Sequence, residues 1–381
     1  MKRRSALKLI AASAVLPSLD ACARVLRSIS PAPAPASRYR IVPVRVAPER
    51  VIREVVGLRP YRRSGFRVEA ETIGEKTLVH NYGHGGGGMS LSWGSADLAA
   101  KIALATSQRR AAVIGCGALG LSTARLLQDR GFEVTIYARD LPPNTTSNIA
   151  GAQWTPTSVA DADRRTAAWD SQYIAAAHFA HRYFQTLVSP KYGISWRENF
   201  FVSAQPNPAS PWETTLLDDI LHRTPIPDGE HPFGNYHVSH YLSMHIEPSI
   251  YLAAVLEDFR IAGGRVVVRS FPDANTIAAL PEPLIVNCTG LEAGTLFNDP
   301  DVLPIKGQLT VLAPQPEVDY ITIGPAGLYM MPRHDGIVLG GTFEHGVATM
   351  EPNPVESKRI LDGHRAFFDE IGSAAASSLP R

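Results

Sequence analysis

The sequence predicts an α/β protein organised around a Rossmann-type dinucleotide-binding domain, and three observations carry that prediction. Val113 to Gly120 reads V-I-G-C-G-A-L-G, with an apolar stretch before it and helically spaced apolar residues after it. A second glycine cluster, His80-Asn81-Tyr82-Gly83-His84-Gly85-Gly86-Gly87-Gly88, lies ahead of the first. The 381 residues, 45% hydrophobic and 19% charged, suffice for one large or two medium domains with a sizeable core.

Around the first motif, Arg110 to Ile114 predicts a short strand, Leu119 to Arg130 a helix and Glu133 to Tyr137 a second strand, a βαβ unit with glycines at its first turn. Gly115 permits the tight turn, Gly117 lets the backbone approach a pyrophosphate, and Gly120 allows close helix-to-strand packing. Leu119 opens the helix, whose unpaired N–H groups suit phosphate. The end of the second strand leaves the nucleotide open. Asp140 suits a ribose hydroxyl of NAD or FAD, whereas Arg139 suits the 2′-phosphate of NADP.

Lys and Arg total 37 against 36 Asp and Glu, so no net field gathers nucleic acid, and a small neutral or zwitterionic partner fits better. Cys22, Cys116 and Cys288 are too few and too scattered for a disulfide framework, and no metal-ligand spacing is present. Met1 to Lys8 is basic, Leu9 to Leu19 apolar, and small residues follow to Ala23, which predicts an export signal over residues 1–23. Arg3-Arg4 with Leu7-Lys8 resembles the twin-arginine type and predicts a periplasmic protein; unused, the signal would leave the chain cytoplasmic. Leu19-Asp20-Ala21-Cys22 loosely resembles a lipoprotein box, in which a lipidated Cys22 would tether the chain to a membrane. Residues 24–45, rich in Pro and Ala, read as an extended tether.

Leu141 to Pro156, L-P-P-N-T-T-S-N-I-A-G-A-Q-W-T-P, resembles the D-amino acid oxidase family, an FAD-dependent group. The resemblance continues through Met244 to Ile261, like the family's helix before a Gly-Gly turn, and Arg265 to Ser270, like the strand that follows. Asn287-Cys288-Thr289-Gly290-Leu291 resembles the second FAD turn. Pro304-Ile305-Lys306-Gly307-Gln308 resembles a Pro-x-Arg-Gly-Gln segment with Lys306 in place of the arginine. Tyr329-Met330-Met331-Pro332-Arg333 and Leu339-Gly340-Gly341-Thr342 complete this block. Val56-Gly57-Leu58-Arg59-Pro60 and the loop from His80 to Gly88 resemble segments that follow the Leu-Gly-Gly-Thr strand in ordinary members, so the order here resembles a circular permutation.

The resemblance implies a Rossmann-type FAD-binding domain with a mixed-sheet α+β substrate domain. It implies substrate-domain segments at 46–75, 161–243 and 304–360, FAD-binding segments at 76–160 and 244–303, and a C-terminal helix and tail at 361–381. A linker from Thr106 to Arg109 then suffices between the Ser92 to Ala105 helix and the strand at Arg110, because both ends lie on the side away from the cofactor.

For the cofactor, the resemblance implies pyrophosphate contacts from Thr146 and Ser147, and flavin contacts from the backbone near Gln153 and from Gly85, Gly86, Gly87, Gly88, Met89 and Ser90. It implies adenine contacts near Val267 and Val268, and a second turn at Thr289 and Gly290. For the substrate it implies Arg59 and Tyr329 on the α-carboxylate and the backbone around Gly86 near the amine; guanidinium has the two-pronged geometry that carboxylate requires. A second tyrosine of some relatives, four residues before Tyr329, is Pro325 here.

The activity so implied is hydride transfer from a D-amino acid to FAD, giving an imino acid that water hydrolyses to a 2-oxo acid and ammonia, while oxygen takes the electrons and becomes hydrogen peroxide. Rival readings are an oxidase of D-aspartate, glycine or another amine, with His84, His334 or Arg333 favouring an acidic side chain; an exported flavin-binding module without turnover; and an NADP-dependent dehydrogenase suggested by Arg139.

Overall fold

The computed structural model describes residues 39, 41–206, 208 and 210–377, so the expected export signal, Cys22 and most of the expected tether lie outside the described residues. In chain order the first elements are β1 (Val51–Arg62), β2 (Ala70–Ile73), β3 (Lys76–His80), α1 (Ser92–Leu104), β4 (Arg110–Ile114), α2 (Ala118–Asp129) and β5 (Glu133–Ala138). There follow α3 (Ala167–Thr186), β6 (Ile194–Ser203), α4 (Trp212–Thr215), β7 (Thr224–Ile226), β8 (His237–Ile246), α5 (Pro248–Ile261), β9 (Arg265–Val268) and α6 (Ala274–Ala278). The last are β10 (Leu284–Asn287), α7 (Ala293–Leu296), β11 (Val302–Leu312), β12 (Ile321–Ile323), β13 (Tyr329–Arg333), β14 (Gly336–Gly340), β15 (Glu344–His345) and α8 (Pro354–Ser377).

Two sheets result. The smaller runs β2-β3-β10-β4-β5-β9, parallel except for β2 at one edge. Its central strands are mostly apolar, as burial on both faces requires: β10 is buried along its whole length, and β4 at all but Arg110. One face packs with α1, α2, α3 and α5 in a core that includes Ala96, Leu121, Tyr173 and Leu252; the other packs with α6 through Ile277. α2 stops at Gly131, which adopts φ +84° at no steric cost, its N–H bonded to the carbonyl of Gln128.

The larger sheet runs β1-β11-β14-β13-β12-β6-β8-β7, with β15 paired to β11. β1 and β11 pair antiparallel from Val51↔Leu312 to Arg62↔Val302, which fixes Gly57 opposite Gly307 and Arg59 opposite Ile305. A one-residue slip would turn Arg59 to the other face. On that other face, Gln308 bonds Asn353 and Ser357 at the start of α8, and the Lys306 ammonium donates to the carbonyl of Glu351 at 2.7 Å. The lysine that replaces the expected arginine therefore points away from Arg59.

Several expectations shift. Met244 to Ile246 end strand β8, and the helix expected from Met244 begins at Pro248, whose fixed φ and missing N–H suit the first helical position. The tether reading stops short of residue 45: Val44 and Val46 are buried in a core with Phe367, Phe368 and Ile371 of α8, and Pro43 accepts from Gln315. β2 joins the nucleotide sheet, which takes it out of the substrate-domain segment expected at 46–75, and α3 packs in the nucleotide-side core, which takes it out of the segment expected at 161–243.

Candidate active site

The turn after β4 is built by glycines that face backbone. Gly115 sits at φ +117°, and a Cβ there would lie 2.4 Å from the carbonyl oxygen of Cys288; one at Gly120 would lie 2.1 Å from the carbonyl oxygen of Gly115. Gly117 caps α2 without a side chain, leaving the first N–H groups of the helix open. One of them, on Ala118, donates to Ser147 Oγ at 3.0 Å. A hydroxyl oxygen thus occupies a position that suits a phosphate oxygen, at the positive end of a 12-residue helix. Thr146 opens the short 3-10 turn that presents Ser147.

The neighbouring strand ends complete the nucleotide side. The N–H of Cys288 bonds the carbonyl of Ile114, which brings Thr289 and Gly290 beside the glycine turn, and Val267 and Val268 pair with Tyr137 and Ala138 beyond β5. Arg139 bonds Asp140 at 2.6 Å and Glu292 at 2.5 Å. Two carboxylates thus hold this guanidinium, and a 2′-phosphate approaching it would meet net negative charge. The donor set fits a pyrophosphate and a ribose diol, as FAD carries, and counts against the NADP reading.

The N-terminal glycine loop lies at the same end of the sheet. His80 pairs with Asn287, and a Cβ on Gly88 would lie 3.6 Å from Leu119 Cδ2 in the first turn of α2. Gly86 donates its N–H to the carbonyl of Ser158, and Met89 and Ser90 are buried just before α1. His84 bridges to Tyr61 of β1 and stacks on Phe66 at 4.7 Å. Burial without a polar partner on either ring nitrogen pushes its pKa down to about 3, so it is neutral and takes no part in recognising an acidic side chain.

Through Tyr61 this loop is tied to the sheet face that carries Arg59. On that face Val55, Leu309, Val311, Val338 and Met331 form an apolar floor, and the segment after Ser147 crosses it. Ile149 sits on Gly57, Gly151 lies against Met331 and Tyr329, and Gln153 donates to Asn199 at 2.5 Å and to the hydroxyl of Tyr241 at 2.6 Å.

Arg59 and Tyr329 come to one face here, although 270 residues separate them in sequence and two strands, β11 and β14, separate them in the sheet. Arg59 leans across β11 and its Nη1 donates to the carbonyl of Thr342 at 3.3 Å. Tyr329 leans across β14, its hydroxyl 3.1 Å from where Gly341 would carry a Cβ. Both tips converge on residues 341–342. Among the described residues no carboxylate pairs with Arg59; the ring of Phe343 covers it at 5.2 Å. An unpaired guanidinium with a phenol on the same face has the donor chemistry to take a carboxylate.

Sequence reasoning gave no role to Phe343, Glu292, Gly307 or Gly340. The two glycines stood inside the quoted motifs, and glycine within a strand is itself a signal of close approach. Arg333 is paired with Asp335, and His334 with Glu247, so neither offers a free charge to a substrate. Two cavities flank the pair without including it. One of about 250 Å³ lies beyond Ile149 against Arg53 and Arg333, and one of about 290 Å³ lies beyond Gln153 against Arg223 and Tyr241.

Comparison with known proteins gives the family. A family model described as FAD dependent oxidoreductase matches residues 110–378. The D-amino-acid oxidase of Rubrobacter xylanophilus is 33% identical over 259 residues, spanning 66% of this chain and 75% of the relative. The D-amino acid oxidase of Dugesia ryukyuensis is 30% identical over 272 residues, spanning 68% and 78%. Among solved structures, iminodiacetate oxidase from Chelativorans sp. BNC1 shares the fold with a TM-score of 0.53 at 16% identity, covering 69% of this chain and 80% of that one. With a glycine turn shaped for a dinucleotide and a family model that spans most of the chain, this protein belongs to the D-amino acid oxidase family of FAD-dependent oxidoreductases.

Proposed function

We propose that this protein oxidises D-amino acids to 2-oxo acids and ammonia, with oxygen as the final electron acceptor. The observation that carries the reading is the convergence of Arg59 and Tyr329 on one face, close to the glycine loop and the nucleotide turn. FAD, when bound, would supply the hydride acceptor and the two-electron route to oxygen that yields hydrogen peroxide.

The chain's own residues bind and orient. Arg59 takes the α-carboxylate in a charge-assisted pair, and Tyr329 adds a hydroxyl to the same group. The backbone around Gly86 faces the amine, and Phe343 and the apolar floor cover part of the guanidinium. With the carboxylate and amine fixed, one hydrogen on Cα faces the acceptor, and the family setting makes that the D isomer. No side chain has to remove the Cα hydrogen in a hydride step, so catalysis rests on position, with reacting atoms about 3–3.5 Å apart. N–H groups between Gly85 and Ser90, ahead of α1, offer positive potential to charge that grows on the acceptor. The test is a panel of D- and L-amino acids read by 2-oxo acid and peroxide. Production of both from D-amino acids alone is expected, and turnover only of L-amino acids or of non-amino substrates overturns the reading.

A permuted order of the family's segments is part of the same proposal. Three features support it: the family match begins at Arg110, Arg59 and the glycine loop precede it, and residues 41–46 pack with α8. Moving residues 46–109 behind α8 through a short linker should give a chain that folds and binds FAD; an insoluble or colourless product would count against the permutation. Export through the N-terminal twin-arginine signal, with lipidation at Cys22 as a variant, remains our reading of localisation, tested by fractionation with and without Arg3 and Arg4.

A further inference from the structure

Gly307 and Gly340 lie in segments that the proposed chemistry leaves without a task. Each sits within a strand, where a side chain would ordinarily contribute packing. A Cβ on Gly307 would fall 2.5 Å from Arg59 Nη1 and 2.6 Å from both Cζ and Nη2. A Cβ on Gly340 would fall 2.1 Å from Cζ of Tyr329 and 2.6 Å from its hydroxyl. In both cases the atoms met are the tips of the two side chains held to bind carboxylate, and those atoms are not backbone.

We propose that Gly307 and Gly340 are positioning residues for the substrate carboxylate: two bare spots on the sheet over which the guanidinium and the phenol lie flat, so that both tips reach residues 341–342. The inference rests on the reading of Arg59 and Tyr329 as the carboxylate site. The register supports it, because Arg59 pairs with Ile305 and must lean two residues along the neighbouring strand to cover Gly307, while Tyr329 pairs directly with Gly340. A methyl group at either place displaces a mobile side-chain tip and leaves the strand in place. The fold and the bound FAD should therefore survive the substitution, and the carboxylate contact should not.

The experiment uses FAD-loaded protein and two readouts. One is steady-state kinetics with D-alanine; the other is calorimetric binding of propionate, a carboxylate without an amine. Gly307→Ala and Gly340→Ala should each raise KM and the propionate Kd about tenfold, roughly the cost of one misplaced charge-assisted bond, with kcat changed far less and with FAD content and thermal midpoint as in the parent. In an Arg59→Ala background Gly307→Ala should have no further effect, and in a Tyr329→Ala background neither should Gly340→Ala, since the atom each methyl displaces is gone. Unchanged KM and propionate binding in the single variants overturn the inference, as does an equal loss in the backgrounds that lack the partner side chain. A parent protein that binds propionate but oxidises no D-amino acid would refute the proposed activity and leave the positioning role standing on the binding data.

Discussion

The nucleotide turn and the proposed carboxylate face both depend on glycines, and the glycines differ in what they face. At the turn, Gly115 and Gly120 look onto carbonyl oxygens of the backbone, at 2.4 Å and 2.1 Å from the missing Cβ. On the sheet face, Gly307 and Gly340 look onto the ends of Arg59 and Tyr329. A methyl group at the turn has nowhere to go without moving the main chain that shapes the cofactor site. A methyl group on the face moves a side chain. The first region stores its specificity in backbone shape, the second in the reach of two long side chains across a flat floor, and the two fail differently.

The largest expected effect falls on the turn. Gly120→Ala forces the start of α2 away from the strand end, and the purified variant should carry little or no FAD, read by its visible absorbance. Full occupancy would show that the turn tolerates movement. On the face, Arg59→Ala should lower kcat/KM by about 3 kcal/mol or more, a loss of more than a hundredfold, because the substrate carboxylate is left buried without its partner. Unlike Gly120→Ala, it should keep its FAD. Kinetics like the parent's would remove Arg59 from the site. Tyr329→Phe removes one hydroxyl and keeps the ring over Gly340, so about 1 kcal/mol, five- to tenfold in KM, is the expected loss; a larger loss in kcat than in KM would mean that the hydroxyl acts in the chemical step.

The smallest effect separates the regions by pH. Burial holds His84 beside the glycine loop down to about 3, and His364 under Tyr329 down to about 4, against an ordinary value of 6.5. The unfolded chain takes up protons at both positions below about pH 6.5 while the native state does not, so stability is fully present above that pH and falls as pH drops toward 3–4. The thermal midpoint should decline over that window, and His84→Gln and His364→Gln should each flatten the decline. A midpoint constant from pH 7 to pH 4 would contradict the assignment.

These contrasts also explain what could be read from the residues alone. The turn is contiguous: strand, glycines, helix and second strand lie between Arg110 and Ala138, and local spacing predicts their limits to within a residue or two. The carboxylate face is assembled from β1, β11, β14 and β13, and nothing local to Arg59 announces Tyr329. Only the resemblance to a family joined them, and it carried no information about the floor between them. Met244 to Ile246 misled because so short a stretch, two apolar residues around His245, suits the end of a strand as well as the start of a helix; Pro248 decides. Val44 was hidden by the Pro/Ala composition ahead of it, although apolar side chains so near a sheet bury if a helix such as α8 offers them a surface.

The claim on which the rest depends is that Arg59, encoded ahead of the nucleotide turn, binds substrate within reach of the bound FAD. Anaerobic addition of a D-amino acid to the purified yellow protein, followed by its visible spectrum, tests it directly. The account predicts that the parent bleaches while Arg59→Ala, equally yellow, stays oxidised at the same substrate concentration. Bleaching at the same rate in both, or in neither, would contradict it.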